Sequence, residues 1–337
     1  MKPSIIYIGN KISNSKSNPT THSTLVKKLR EEGYTVFSAS SKRLKSLRLL
    51  DMIWLFLRKV TTTDYVLIDV YSTQNFWYAV IIAKLARLFS VKYIPILHGG
   101  DLISRFNHSK KETALLLKNA YYIVSPSEYL KKEVEALGFD HVVNISNSLE
   151  LKEYQFKNRA IIQPKLLWVR AFNEIYNPMM AIKTIEVLQE KYPQATLTMV
   201  GPDKDGSLIE CVDYAKAKKL NICFKGKLKK KEWINLAANF DIFINTTRID
   251  NIPVSVLEAI SLGLPIISTN VGGIPYIIKD SVNGLLVESN NVEAMSQAVD
   301  YLITYPAKAK EMALVAQRDL EKYSWQAIKF DWFKILN

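Results

Sequence analysis

Cysteine, long apolar runs and glycine fingerprints are scarce in this sequence, and each scarcity disfavours a class of protein. The two cysteines, Cys211 and Cys223, show no metal-binding or disulfide spacing, which favours reduced thiols in a cytoplasmic protein. No stretch approaches the ~18 apolar residues of a membrane-spanning helix, and the apolar segment near the N-terminus is too short for a secretory signal. No predicted strand precedes G-x-G-x-x-G, so a dehydrogenase is disfavoured.

Acidic residues are outnumbered, with 32 Asp and Glu against 45 Lys and Arg, a net charge of +13. Residues 1–150 carry +9 of this charge and residues 151–337 carry +4. A basic field suits nucleic acid, anionic lipid headgroups or a phosphorylated substrate, and charge alone does not choose among them. Basic and aromatic residues form no recognised nucleic-acid module, so we expect no nucleic-acid partner.

Strands rich in Val, Ile and Leu alternate with helical segments through both halves of the 337 residues. This rhythm predicts an α/β protein with two doubly wound, Rossmann-like parallel sheets in tandem. The polar stretch 147–164 marks the boundary, giving expected domains at 1–155 and 156–321. The C-terminal segment 322–337 has apolar residues at helical spacing and is expected to pack back on the first domain.

Ligands of open parallel sheets bind at the carboxyl ends of the strands. This rule selects His98 after "KYIPIL", Arg170 after "KLLWV", the glycine turn at Gly201 after "LTMV" and Asp250 after "DIFINTT". For His98, the alternative interpretation is an ordinary core histidine. For Arg170, it is a surface arginine that pairs with Glu174, four residues further along a helix.

The segment "DNIPVSVLEAISLGLPIISTNVGG" (250–273) predicts a short helix with strong start and stop signals. Pro253 fits the first helical position, and Gly263 fits the position just after the helix. The N–H groups of Val254, Ser255 and Val256 would then form an anion site reinforced by the helix dipole.

Two acids flank that anion site. Glu258, on the second helical turn, suits hydrogen bonds to vicinal hydroxyls such as those of a ribose, and Asp250 would meet whatever lies beyond the phosphates. The alternative is a surface helix with a solvated glutamate and an ordinary loop aspartate.

The run "DNIPVSVLEAISLGLPIISTNVGGIPYIIKDSVNGLLV" (250–287) resembles the donor motif of the retaining glycosyltransferases of family 4 (GT4). Shorter similarities follow in "HGGD" (98–101), "VGPD" (200–203) and "FKGKL" (224–228). The resemblance implies the GT-B fold, in which two Rossmann-like domains face a cleft. The first acid of the motif is Asp250 here, where the family has glutamate.

The resemblance also implies roles for individual residues. It places His98, Asp250 and Arg170 in catalysis, with Asp250 on the transferred sugar and Glu258 on the ribose. The implied donor-binding residues are Arg170, Gly201, Lys225, Asp250, Asn251, Ile252, Pro253, Val254, Ser255, Val256 and Glu258, and the implied acceptor-side residues are Gly99, Gly100 and Asp101. The family's phosphate-binding lysine shortly after Arg170 is missing, because the first lysine after Arg170 is Lys183.

The implied activity is transfer of a hexosyl or N-acetylhexosaminyl group from a UDP- or GDP-linked sugar to a saccharide acceptor, with retention of configuration. Such transfer serves cell-surface polysaccharide or glycoconjugate biosynthesis, and it is expected to need no cofactor and no metal. "DKD" (203–205) is therefore interpreted as a solvated loop. The alternatives are a GT-B sugar-nucleotide epimerase and a non-catalytic sugar-nucleotide-binding protein.

Residues 41–59, "SKRLKSLRLLDMIWLFLRK", predict a basic amphipathic helix. Its apolar positions Leu47, Leu50, Ile53, Trp54 and Leu57 would either pack against the sheet or lie in a membrane interface. Both can also hold, with the basic N-terminal end on lipid phosphates and the remainder packed. The second interpretation suits a polyprenyl-diphosphate-linked acceptor and peripheral association with the inner face of the cytoplasmic membrane.

Overall fold

The computed structural model describes residues 2–9, 11, 20–99 and 101–337. The chain divides into two compact units, Met1–Leu149 with Tyr323–Asn337, and Glu150–Lys322. The expected boundary at 155 thus falls six residues later than the observed one. Residues 150–155 belong to the second unit because Tyr154 and Glu153 contact side chains there: Tyr154 donates a hydrogen bond to Glu258, and Glu153 pairs with Lys230.

The first unit is built around a six-stranded sheet in the order β2-β1-β3-β4-β5-β6, with every pair parallel. In chain order its elements are β1 (Ser4–Ile8), α1 (Thr21–Glu31), β2 (Thr35–Ala39), α2 (Lys45–Lys59), β3 (Tyr65–Tyr71), α3 (Asn75–Leu88), β4 (Lys92–His98), α4 (Leu102–His108), α5 (Lys110–Leu117), β5 (Ile123–Ser125), α6 (Glu128–Ala136) and β6 (Val142–Asn144).

Alternate residues of β1 show why this sheet is buried on both faces. Ile6 and Ile8 enter the core shared with α2 and α3, whereas Ile5 and Tyr7 enter a second core shared with α1. Successive side chains of a strand point to opposite faces, so a strand covered on both sides must be apolar throughout.

The second unit has its own six-stranded parallel sheet, in the order β12-β11-β10-β7-β8-β9. Its elements are β7 (Lys165–Val169), α7 (Pro178–Lys191), β8 (Thr196–Val200), α8 (Ser207–Ala217), β9 (Ile222–Phe224), α9 (Lys230–Ala237), β10 (Ile242–Asn245), α10 (Val254–Ser261), β11 (Ile266–Thr269), β12 (Leu285–Val287), α11 (Val292–Thr304) and α12 (Pro306–Asp319). The predicted class, two doubly wound α/β units, is confirmed.

The last helix, α13 (Trp325–Leu336), belongs to the first unit. Its buried residues Trp325, Ile328 and Trp332 join the same core as Ile5 and Tyr7. Trp325 also donates its indole N–H to Glu32 at 3.0 Å. The C-terminal segment therefore covers one face of the first sheet.

Helix α2 packs by a different face from the apolar stripe that its sequence displays. Arg48, Met52 and Phe56 are buried, and Ile53 and Leu55 pack partly against the core. The remaining stripe residues, Leu47, Leu50, Trp54 and Leu57, are 49–61% exposed and follow one another at helical spacing. Packing of the whole stripe against the sheet, one of the sequence-based interpretations, is therefore wrong. We call these four residues the α2 stripe.

Within the described ranges, no helix is both long enough and apolar enough to cross a membrane.

Candidate active site

The strand order of the second sheet reverses between β7 and β10, which lie side by side although β8 and β9 follow β7 in sequence. Such a switch point opens a crevice at the carboxyl ends of the two strands, where ligands of doubly wound sheets bind. Arg170 directly follows β7, and Asp250 lies five residues after β10. The sheet order thus brings together two side chains that are 80 residues apart.

Arg170 and Asp250 form a direct ion pair between the guanidinium Nη2 and the carboxylate Oδ2. The second carboxylate oxygen, Oδ1, accepts the backbone N–H of Asn251 at 2.9 Å. Tyr176 lies under the guanidinium, with its ring centroid 4.3 Å away. The alternative partner of Arg170, Glu174, binds Arg248 instead at 2.8 Å. Both members of the Arg170–Asp250 pair are therefore fixed at the crevice.

Helix α10 begins beside this pair. Pro253 is the N-cap residue rather than the first helical residue, and its carbonyl accepts the N–H of Val256 at 3.0 Å. The prediction that the N–H of Val256 is available to an anion is thus wrong, because that N–H is already bonded to Pro253. Among the described residues, no backbone carbonyl accepts the N–H of Val254 or of Ser255.

Two buried polar atoms at this end of α10 have no hydrogen-bond partner among the described residues. They are the Oγ of Ser255 and the Nε of Arg170. A buried polar atom without a partner costs ~1–3 kcal/mol, so such atoms are rare away from ligand sites. Both atoms can donate a hydrogen bond, and the helix N-terminus adds positive potential. The arrangement is that of an anion site.

Glu258 lies one turn further along α10 and is mostly buried. Its Oε1 accepts the hydroxyl of Tyr154 at 2.7 Å and lies 3.6 Å from the Nζ of Lys230. Burial raises the pKa of Glu258, and the contacts with Tyr154 and Lys230 only partly oppose that rise. Burial and the same carboxylate also raise the pKa of Tyr154, which keeps its hydroxyl a donor. The ionised form of Glu258 is thus unfavourable in the folded protein, and the contacts with Tyr154 and Lys230 hold the carboxylate in one orientation.

Glycines permit close backbone contacts around the ion pair. A Cβ on Gly273 would lie 1.8 Å from the carbonyl oxygen of Asn251, and the N–H of Gly273 donates to the Asp250 carbonyl at 2.9 Å. A Cβ on Gly201 would lie 1.6 Å from the carbonyl oxygen of Arg170. Neither position has room for a side chain, so both loops press directly on the segments that carry Arg170 and Asp250.

The remaining donor-site residues of the prediction also lie in the second unit. Asn251 and Pro253 are buried, Ile252 is half-buried and Val254 is exposed. Lys225 is exposed at the carboxyl end of β9, and its backbone N–H donates to Met199 at 3.0 Å.

In the first unit, His98 ends β4 and is buried in a cluster of polar side chains. Its Nε2 lies 2.8 Å from Oδ1 of Asp69, which also accepts the hydroxyl of Tyr7 at 2.8 Å. The Nδ1 of His22 lies 3.3 Å from the other oxygen of Asp69. The ring of Tyr71 stacks on His98 at 4.8 Å. His98 is thus more than an ordinary core histidine, because a buried carboxylate orients it.

Asp69 sets the hydrogen-bonding roles in this cluster. Burial alone would raise the pKa of Asp69, but the neighbouring His98 and His22 hold it well below its usual range. An ionised carboxylate only accepts hydrogen bonds, so Nε2 of His98 carries a proton and Nδ1 is the nitrogen left for other contacts. The pKa of Tyr7 is raised, chiefly by burial and then by Asp69, so its hydroxyl stays a donor.

The predicted acceptor-side residues follow His98. Gly99 is exposed, with a left-handed φ of 96°, and Asp101 is exposed before α4. Gly100 lies outside the described residues.

Sequence reasoning missed Tyr7, His22, Asp69, Tyr154 and Lys230. Asp69 had a signal, because it stands alone among apolar residues in the strand "YVLIDVY" and an unpaired buried acid is costly. The other four come from distant segments, and no local pattern marks them. Within the described ranges, no group of three or more His, Cys, Asp or Glu side chains is arranged to hold a metal ion.

Residues 152–319 match the family model described as "Glycosyl transferases group 1". The amylovoran biosynthesis glycosyltransferase AmsK of Erwinia amylovora is 26% identical over 272 residues, which cover 73% of this chain and 64% of AmsK. An uncharacterized glycosyltransferase of Haemophilus influenzae is 27% identical over 156 residues, 46% of this chain and 44% of that protein. The chain thus spans less than two thirds of the length of these curated relatives.

Two solved structures resemble the chain over almost its whole length. Anabaena HepE, solved in complex with UDP-glucose, gives a TM-score of 0.77 at 14% identity and covers 99% of both chains. Sucrose-phosphate synthase from Thermosynechococcus elongatus gives a TM-score of 0.78 at 13% identity, covering 99% of this chain and 98% of the other. At these identities the likeness shows the fold alone.

The fold is therefore that of the GT-B glycosyltransferases. Within it, residues 152–319 resemble the group 1 glycosyl transferases.

Proposed function

We propose that the protein is a retaining glycosyltransferase of the GT4 type, which moves a sugar from a nucleoside-diphosphate sugar to a saccharide acceptor. The observation that carries this proposal is the segment 250–258. Within nine residues it holds a carboxylate paired with Arg170, a helix N-terminus with unpartnered donors, and a second, buried carboxylate.

The diphosphate is proposed to bind at the N-terminus of α10. Arg170 supplies a full positive charge, and its Nε and the Oγ of Ser255 are buried donors without a partner among the described residues. The N–H groups of Val254 and Ser255 add two more donors. These donors can take the place of the missing phosphate-binding lysine, because arginine forms two parallel hydrogen bonds with a phosphate.

The two carboxylates are proposed to bind hydroxyls on either side of the diphosphate. Glu258 takes the vicinal hydroxyls of the ribose, and the hydrogen bond from Tyr154 keeps it oriented. Asp250 takes a hydroxyl of the transferred sugar. Its pairing with Arg170 holds it in place although its side chain is one methylene shorter than the usual glutamate.

In the proposed reaction, the bond between the sugar C1 and the diphosphate oxygen breaks, and the diphosphate leaves with the electron pair. Arg170 and the α10 N-terminus stabilise the negative charge that develops there, which is the largest contribution expected of such a site. The acceptor hydroxyl forms the new bond to C1 and gives up its proton to the departing phosphate. His98, which Asp69 orients, is proposed as a further catalytic residue.

The relatives support a choice of donor and pathway. The HepE structure holds UDP-glucose, so a UDP-hexose is the first donor to test. AmsK is named for amylovoran biosynthesis, which favours a role in making a polysaccharide or glycoconjugate.

Incubation with UDP-glucose, UDP-N-acetylglucosamine, UDP-galactose and GDP-mannose, with release of nucleoside diphosphate as the readout, tests this proposal. We expect one donor to be cleaved and Arg170→Ala to abolish the cleavage. Conversion of the nucleotide sugar to its epimer without release would identify an epimerase. Tight donor binding with neither reaction would identify a binding protein, and either result would refute the transferase.

We further propose that the α2 stripe docks on the inner face of the cytoplasmic membrane and so brings the enzyme to a lipid-linked acceptor. Four large apolar side chains on one helical face are exposed, and Arg43, Lys45 and Arg58 lie exposed at the two ends of the helix. Apolar insertion combined with attraction to anionic headgroups is the pairing that interfacial helices use. A polyprenyl-diphosphate-linked saccharide would be presented at that surface.

Flotation with vesicles of phosphatidylcholine, with and without phosphatidylglycerol, tests the docking. We expect binding to require the anionic lipid, to weaken with salt and to be lost in the double variant Leu50→Glu, Trp54→Glu. Leu88→Glu, at an exposed leucine of α3, is the matched control and should still float. Equal flotation of both variants would refute docking through α2.

A further inference from the structure

A second concave site lies on the first unit, at the edge of the sheet opposite to His98. The hollow has a volume of about 760 Å³ and opens where β4 and β5 begin. Strand β4 runs seven residues from this edge to His98, which is about 20 Å at ~3.3 Å per residue. The hollow is therefore separate from the site described above.

Tyrosines and cations dominate the lining of this hollow. The residues that matter are Arg87, Lys92, Tyr93, Asn119, Tyr121 and Tyr122. Tyr121 and Tyr122 meet edge to face at 4.8 Å, and the Nζ of Lys92 lies 4.2 Å from the centroid of the Tyr121 ring. None of the described residues that line the hollow is acidic. The wall is thus both aromatic and positively charged.

Two polar atoms in this wall are buried and have no hydrogen-bond partner among the described residues. They are the Nε of Arg87 and the hydroxyl of Tyr93. Burial raises the pKa of Tyr93 to about 12, so its hydroxyl keeps the proton at neutral pH. Unsatisfied buried donors are costly, and two of them beside the same hollow indicate a ligand that accepts hydrogen bonds.

We propose that this hollow binds an acidic saccharide, one that carries a carboxylate or phosphate on its sugar rings. Tyrosine rings offer flat apolar surfaces with a polar edge, which suit the mixed apolar and hydroxylated faces of a pyranose. Arg87 and Lys92 supply charge for the acidic group, and arginine matches a carboxylate or phosphate in geometry. The amide of Asn119 and the hydroxyl of Tyr93 pair with sugar hydroxyls. This site retains a glycan without reacting with it, and it does not depend on the proposed transfer reaction.

Isothermal titration at low salt with trigalacturonate as the probe tests the proposal on the full chain. We expect saturable binding that Arg87→Gln weakens about tenfold, because a charge-assisted hydrogen bond is lost. Lys92→Gln should also weaken binding, and it replaces an exposed side chain. Lys84→Gln is the matched control, since Lys84 is an exposed cation on the same helix α3 outside the hollow.

Three results would overturn the proposal. If the neutral trisaccharide maltotriose bound as tightly as trigalacturonate, the acidic group would have no role in recognition. Inorganic phosphate competing at equal concentration would reduce the site to a simple anion site. Unchanged affinity in both Arg87→Gln and Lys92→Gln would place binding elsewhere. Trigalacturonate binding should persist in Arg170→Ala, which separates this test from that of the donor site.

Discussion

Replacing Glu258 by glutamine should move stability and donor affinity in opposite directions. Burial raises the pKa of Glu258, so folding disfavours its ionised form. An acid whose pKa rises on folding contributes stability below its unfolded pKa, about 4.3, and loses it as pH rises through the folded value. Glutamine does not ionise and still accepts the hydroxyl of Tyr154. Glu258→Gln should therefore raise Tm at neutral pH and lose this advantage in acid.

Donor affinity should fall in the same variant. Hydrogen bonds to a charged acceptor contribute ~1.5–3 kcal/mol and neutral ones ~0.5–1.5 kcal/mol. Losing the charge on a group that binds two ribose hydroxyls thus costs about 2 kcal/mol, or roughly thirtyfold in Kd. Thermal unfolding from about pH 4 to about pH 8 measures the first effect, and calorimetric titration with UDP measures the second.

Glu190→Gln is the control for both measurements, because Glu190 is an exposed acid on α7 of the same unit. A destabilised Glu258→Gln at neutral pH would contradict the cost assigned to the buried charge. UDP binding as tight as in the wild type would contradict the ribose contact.

Three further variants test other parts of the structure. Gly273→Ala should weaken UDP binding at least about tenfold in the same titration, because its Cβ would lie 1.8 Å from the Asn251 carbonyl. Arg159→Met should lower the free energy of unfolding in urea by about 3 kcal/mol or more, since the buried guanidinium donates to four carbonyl oxygens; an unchanged midpoint would refute this. Asp69→Asn should destabilise most at neutral pH, and the difference in Tm from the wild type should shrink in acid. Asp69 has a lowered pKa, so its contribution is present above the ordinary aspartate pKa and is lost as pH falls.

The fold and the donor segment could be predicted from sequence because their determinants are local. Apolar strands alternating with helices fix a doubly wound class, and the helix from Val254 to its left-handed Gly263 follows from proline and glycine chemistry within one stretch. The prediction erred by one position at Pro253, because proline suits the N-cap and the first helical position alike. The same error led to the prediction that the N–H of Val256 is available to a ligand.

The partners of the site residues could not be predicted, because they come from other parts of the chain. Arg170 meets Asp250 only through the strand order, and nothing in its own stretch distinguishes Asp250 from Glu174 as the partner. Tyr154 reaches Glu258 across 104 residues. The sequence also could not predict whether the α2 stripe faces the core or the outside, because both arrangements have the same periodicity.

The central claim is that this chain cleaves a nucleotide sugar with retention at the carbon that it transfers. The most direct test uses the α-linked donor that the protein accepts. Time-resolved proton NMR then follows the anomeric signal of the sugar that is transferred or released. The account predicts that the first product carries the α-anomeric signal, and that this signal is absent with Arg170→Ala. A first product with the β configuration, or a donor left intact beside every acceptor offered, would contradict it.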